Sequence, residues 1–190
     1  MLPKEKTITT KEQLKDWLKA DTDRYICGRI ARIFCVSETA ILRKHQILLR
    51  KTEYHTNINH PLQKTWYKFR LIKLQNKYAL HIPVNCCGKG LHIVHLGPIL
   101  INNNAQLGEN CSLHINTAVV AGGVTDKAPI IGNNVVFGIG SVALGDIHIA
   151  DYTAIGANAV VNKDVLEENI AVAGVPAKKV SNNGSKEWNK

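Results

Sequence analysis

The chain has 190 residues, 45% of them hydrophobic, which suits one domain with a sizeable core plus an appendage and excludes a small stapled scaffold. No stretch approaches the roughly 18 uninterrupted apolar residues of a membrane span, and the opening MLPKEKTITT lacks the apolar core of a signal peptide, so a cytoplasmic location is expected. The net charge of +9 belongs wholly to residues 1–80, with 17 Lys and Arg against 7 Asp and Glu; residues 81–190 carry 7 against 8.

In chain order, residues 1–78 read as a mostly helical, basic region. In KEQLKDWLKA (11–20), Leu14, Trp17 and Leu18 fall at i, i+3, i+4 behind Thr9 and Thr10 as caps, which predicts a short amphipathic helix. Apolar positions cluster on one helical face from Glu38 to Lys51 and again from Thr65 to Lys77, and the intervening YHTNINHPLQ, with Pro61, reads as a loop. No nucleic-acid-binding motif with an aromatic platform accompanies the basic charge, so no nucleic acid is expected. Solvated helix faces account for it, or attraction of an anionic partner such as a lipid-diphosphate-linked sugar, a membrane surface or cofactor phosphates.

A different rule governs residues 79–168. Stepping by six from Ile101 gives Leu107, Leu113, Val119, Thr125, Ile131, Phe137, Ala143, Ile149, Ile155 and Val161, so ten of the eleven positions are apolar. Position i+1 is glycine at Gly108, Gly132, Gly138 and Gly156, and position i+4 is small or β-branched at Ala105, Cys111, Thr117, Val135, Ser141, Thr153 and Ala159. A six-residue period is neither helical nor simple strand alternation, so each unit is one short strand and one turn, and three units close a triangular coil of about 18 residues. The aliphatic residue points into the prism, the small one fits beside it, and the i+1 glycine supplies a permissive turn backbone. The hand of the coil does not follow from the period. The five cysteines lack CxxC spacing and a partnering His pattern, so reduced thiols and no metal are expected.

The repeat, Gly122 with Gly123, and the run AVAGVPAKKV in the tail at 169–190 together resemble the hexapeptide acyltransferases, nearest to their serine acetyltransferase-like branch. The resemblance implies a mainly β fold, a left-handed parallel β-helix behind a small helical region. It also implies a homotrimer with active sites between subunits, and acetyl-CoA as donor. GKGLHIVHLGPI (88–99) resembles the segment that carries the family's catalytic histidine, which matches His95, a general base able to take a hydroxyl proton. His114 is the second candidate, in a turn column where glycine is usual, with His81 and His92 behind it. For the donor, Gly122, Gly123, Gly138, Ser141, Ala157 and Ala159 resemble the channel's small residues, and Lys163 and Lys178 could meet CoA phosphates.

The chain departs from serine acetyltransferases at the histidine's orienting partner and where acceptor recognition would sit. Leu80 stands where the family has the aspartate that orients its histidine, Val94 where a second, substrate-binding aspartate lies, Ala128 replaces a histidine, and Lys127 replaces an arginine. These losses favour an acceptor hydroxyl on a sugar or glycan precursor of a surface-polysaccharide pathway. Serine is the alternative, and a non-catalytic assembly scaffold a remote one.

Overall fold

The structure is a computed structural model that describes residues 7–123 and 125–187. Four helices come first. α1 (Lys11–Thr22) starts at a capping box in which the Gln13 N–H donates to Thr10 Oγ1 and the Thr10 N–H to Gln13 Oε1. α2 (Arg29–Phe34) follows from Gly28, and α3 (Glu38–Asn57) is capped by Ser37, which accepts from the Ala40 N–H at 3.2 Å. α4 (Pro61–Tyr78) packs against α3. The expected loop at 54–63 shrinks to the break between these two helices, because a proline at the first helical position lacks only an N–H that would be unpaired anyway.

Fourteen short strands then wind a left-handed parallel β-helix. They are β1 (Leu80–His81), β2 (His92–Ile93), β3 (Ile99–Ile101), β4 (Gln106–Leu107), β5 (Ser112–Leu113), β6 (Thr117–Val120), β7 (Ile130–Ile131), β8 (Val136–Phe137), β9 (Val142–Leu144), β10 (His148–Ile149), β11 (Ala154–Ile155), β12 (Val160–Val161), β13 (Ala171–Ala173) and β14 (Lys178–Ser181). One face stacks β1-β3-β6-β9-β12, the second β4-β7-β10, and the third β2-β5-β8-β11-β13, with β14 folded back antiparallel on β13.

The six-residue column is the core of this prism. Ile101, Val119, Ala143 and Val161 are in register on the first face, Leu107, Ile131 and Ile149 on the second, and Ile93, Leu113, Phe137, Ile155 and Val172 on the third. Each is at most 3% exposed. Thr125, the one polar position, lies in an exposed excursion between β6 and β7. Partners are 18 residues apart below it (Ala143 with Val161) and 24 across it (Val119 with Ala143), so the excursion inserts one whole repeat and the column resumes in phase.

The turn chemistry differs from the expectation in one respect. Left-handed backbone falls at i+3, at Asn110, Asn116, Asn134, Gly140, Tyr152 and Asn158 with φ between 56° and 71°, and not at i+1. Glycine at i+1 answers a different demand, close approach of stacked coils: a Cβ on Gly138 would lie 2.7 Å from the Ala157 nitrogen.

Every coil hydrogen-bonds to the one before it, except the first, whose backbone would be left unpaired. The helices supply the missing partners through side chains. The Arg50 guanidinium donates to the carbonyls of Cys87 at 2.8 Å and Gly88 at 2.6 Å, Asp21 accepts from the Gly90 N–H at 2.7 Å, and Glu53 from the Asn85 N–H at 2.8 Å. Gln46 donates to the Leu91 carbonyl, Gln75 to that of Ile82, and the Tyr25 hydroxyl both accepts from the Ile93 N–H and donates to the Ile93 carbonyl. Arg50 is fully buried and also pairs with Asp21 at 2.6 Å and Glu53 at 2.9 Å.

Removing Arg50 leaves two carboxylates buried without their cation. Arg50→Met is expected to lower unfolding free energy by about 3–5 kcal/mol in urea titration. A second effect comes from His45, buried on α3, whose pKa is pushed down to about 3, first by burial and then by Arg50. Its Nε2 lies 3.3 Å from the Gln75 amide nitrogen, which makes Nε2 the acceptor and protonation there disruptive. The unfolded chain takes up a proton near pH 6.5 that the folded chain refuses until about pH 3. This stability is therefore present above about pH 6.5 and lost progressively toward pH 3. Melting temperature should fall across that window, and less steeply in His45→Gln.

Candidate active site

The corner between the third and first faces carries His95 and His114, one coil apart, on the turns after β2 and β5. Their ring centroids are 6.5 Å apart with planes tilted by 53°. The two expected histidines therefore meet within one chain. His95 is open, its side chain 58% exposed. Its Nδ1 faces Glu38 Oε2 at 3.5 Å, while the other oxygen of that carboxylate accepts the Leu96 N–H at 2.6 Å. Glu38 lies in the first turn of α3, where a carboxylate also complements the helix dipole.

His92, on β2 beneath this pair, contacts Tyr25 through its ring and Ser112 Oγ through Nδ1 at 3.4 Å. Burial first, then Arg24 and the other two histidines, pushes its pKa down to about 4. His114 is lowered by burial and by His95, and its Nδ1 is buried without a hydrogen-bond partner. Both rings are driven toward the neutral form. The corner thus assembles one solvent-facing imidazole backed by a carboxylate and two neutral imidazoles behind it.

Other expected positions fall elsewhere. His81 is exposed at the end of β1, in a different cavity with Gln75, Pro83, Leu100 and Asn102. Leu80 is fully buried in the core, so a carboxylate there would be desolvated. The carboxylate that the fold sets beside His95 is instead that of Glu38, 57 residues before it and on another element, with no spacing rule to reveal it. Ser141 and Ala159, expected to line a donor channel, are fully enclosed in the prism, and Ser141 Oγ donates to the Gly138 carbonyl at 2.7 Å. The i+4 column points inward, which removes both side chains from any outer surface.

Gly122 and Gly123 open the excursion after β6. Both are exposed; Gly123 has φ +81° with open space where a Cβ would be, and a Cβ on Gly122 would stand 3.3 Å from Gly145 Cα. Gly138 backs onto exposed Ala157, and Lys163 and Lys178 are exposed. Lys127 pairs with Asp146 at 2.6 Å, a hydrogen bond that raises its pKa, and Ala128 is buried. Among the described residues, no group of three His, Cys, Asp or Glu side chains is arranged to hold a metal.

Comparison with known proteins bears on this corner. The chain is 33% identical over 101 residues to a serine acetyltransferase of Synechococcus elongatus, covering 51% of this chain and 40% of the relative. It is 31% identical over 142 residues to that of Buchnera aphidicola, covering 69% and 50%. The crystal structure of Neisseria gonorrhoeae serine acetyltransferase superposes with a TM-score of 0.68 at 25% identity, over 93% of this chain and 69% of that one. The chain is thus similar in sequence and fold to serine acetyltransferases. A Brucella abortus serine acetyltransferase solved with coenzyme A shares the fold, with a TM-score of 0.63 at 21% identity over 91% and 68% of the two chains. No family model matches. The chain spans half or less of the two curated relatives' lengths.

Proposed function

We propose that the chain is an acetyl-CoA-dependent O-acetyltransferase with His95 as general base. The observation that carries this reading is the contact of His95 Nδ1 with a Glu38 carboxylate that is itself held by the Leu96 N–H. A proton on Nδ1 directed at Glu38 leaves the Nε2 lone pair free. Nε2 takes the acceptor's hydroxyl proton as that oxygen attacks the thioester carbonyl carbon, forming a C–O bond and a tetrahedral oxyanion. Collapse breaks the C–S bond, and the imidazolium returns its proton to the departing thiolate. Glu38 stabilises the imidazolium between these steps. Catalytic contacts are commonly long before substrate binds, which accommodates 3.5 Å. His114 joins as a neutral hydrogen-bonding neighbour for the acceptor.

For the donor, the exposed Gly122 and Gly123 would let pantetheine approach backbone, Gly138 and Ala157 would continue the channel, and Lys163 and Lys178 would meet phosphates as point charges. The open corner fits a homotrimer whose neighbouring subunit completes the cleft.

The relatives' names back serine as the acceptor over the sugar hydroxyl expected from the sequence. One observation favours the sugar reading. Lys127, aligned with a carboxylate-holding arginine, is committed to Asp146, and Val94 and buried Ala128 carry no group for an amino acid's charged ends.

Thiol release from acetyl-CoA should fall about 10²–10⁴-fold in kcat in His95→Ala, and roughly tenfold to hundredfold in Glu38→Ala with KM for acetyl-CoA unchanged. A folded His95→Ala enzyme at full turnover overturns the assignment. Offered serine and hexose-containing glycans in parallel, the enzyme is expected to turn over serine if the relatives set the acceptor; turnover on a glycan alone selects the sugar reading.

A further inference from the structure

Helix α4 is apolar on two opposite sides. Tyr67, Leu71, Leu74 and Tyr78, spaced at i, i+4, i+7, i+11, pack into the core, which accounts for the helix. Leu62, Trp66 and Phe69, at i, i+4, i+7 on the other side, are 82%, 59% and 66% exposed and contribute nothing to the fold. The neighbouring α2 repeats the anomaly, with Ile30, Ile33 and Phe34 between 68% and 72% exposed and no buried residue. The two helices meet across a groove of about 390 Å³ in which Phe34 and Leu48 lie with Lys44, Arg70, Lys73 and Lys77. An adjoining cavity shares Lys44 and Arg70 and adds Arg32 and Arg43. No carboxylate lines either cavity. Residues 61–78 contain five Lys and Arg and no Asp or Glu, and residues 24–37 contain three and none.

The composition of this surface decides among occupants. A second copy would oppose cations to cations with no acid to offset them. A nucleic acid would meet the charge but would stack on aromatic rings, and four of the seven exposed apolar side chains on α2 and α4, Ile30, Ile33, Leu62 and Ile72, are aliphatic. An anionic bilayer surface satisfies both halves at once: the aliphatic and aromatic side chains enter the headgroup boundary while Lys and Arg meet lipid phosphates. Arg70 already lies over the Trp66 ring at 5.6 Å, so one side chain of each kind is paired on α4.

We infer that α2 and α4 form a peripheral docking surface for an anionic lipid membrane. The surface includes neither His95 nor His114 and stands whether or not the acetyltransferase reading does. The full chain should co-sediment with vesicles of phosphatidylcholine containing phosphatidylglycerol and leave phosphatidylcholine vesicles behind. Binding should fall at least tenfold in Leu62→Ser/Phe69→Ser, and by about the same in Lys73→Ala/Lys77→Ala, since each cation near the surface contributes roughly fivefold. Both variants leave the buried stripe of α4 intact, so far-UV circular dichroism and thermal melting should match the parent. Addition of anionic vesicles should also shift Trp66 fluorescence to the blue, a change absent in Trp66→Phe. Equal binding to neutral vesicles, or parental binding by Leu62→Ser/Phe69→Ser, overturns the inference. Failure to bind vesicles, together with single-stranded RNA binding lost in Lys73→Ala/Lys77→Ala, or with self-association lost in Leu62→Ser/Phe69→Ser, overturns it in favour of those partners.

Discussion

A parallel β-helix is open at its ends, and the first coil of this one exposes backbone donors and acceptors that no earlier coil can pair. In a helical solenoid of strands that edge invites pairing with another chain and, where covered without partners, costs about 1–3 kcal/mol for each buried group left unsatisfied. Here it is covered by helices and paired by side chains. Arg50, Asp21, Glu53, Gln46, Gln75 and Tyr25 each reach a backbone group between Ile82 and Ile93. The Arg50 cluster offsets its own desolvation because the guanidinium spends its donors on two carboxylates and two carbonyls at once. The polar core between helices and prism is therefore a seam, and its members are side chains that neither half could bury alone.

The same seam sets the candidate site. Gln46, Arg50 and Glu53 sit on one side of α3, and Glu38 lies at that helix's N-terminus. Once the middle of α3 is pinned to the first coil, its first turn is delivered to the turn that follows β2. The carboxylate that backs His95 is thus a by-product of end capping. That arrangement explains how the corner dispenses with a carboxylate on β1, where Leu80 instead joins the core. A prism this narrow has room inside for aliphatic and small residues, so polar site groups come from corners and from outside the coil.

The departures from the serine acetyltransferase pattern fall both at the histidine's orienting partner, where Leu80 stands, and on the acceptor side. Val94, Lys127 and Ala128 change or occupy the groups that would hold an amino acid, whereas the corner glycines and His95 persist. Acceptor recognition is set by loops and helices around the coil, which can vary without disturbing the stacked columns.

The periodic part of this protein was legible in the chain itself. A six-residue column with small residues four positions on is a local rule repeated at every coil, so the pattern along the chain predicts the prism and its core from Ile101 to Val161, whereas the excursion at Thr125 appears only in the fold. His95 was singled out by the resemblance of residues 88–99 and His114 by standing in a turn column where glycine is usual, and the fold brings their rings to 6.5 Å. The left-handed position at i+3 was misassigned to i+1, because glycine serves both backbone freedom and close packing and only the stacked coils separate the two demands. Helix α2 and the Arg50 seam were not legible, since a six-residue helix leaves little periodicity and the buried hydrogen bonds of the seam join residues up to 69 positions apart. Glu38 escaped for the same reason. Short-range periodicity is written in the chain, whereas the pairing of Glu38 with His95 exists only once two different elements have been brought together in the folded molecule.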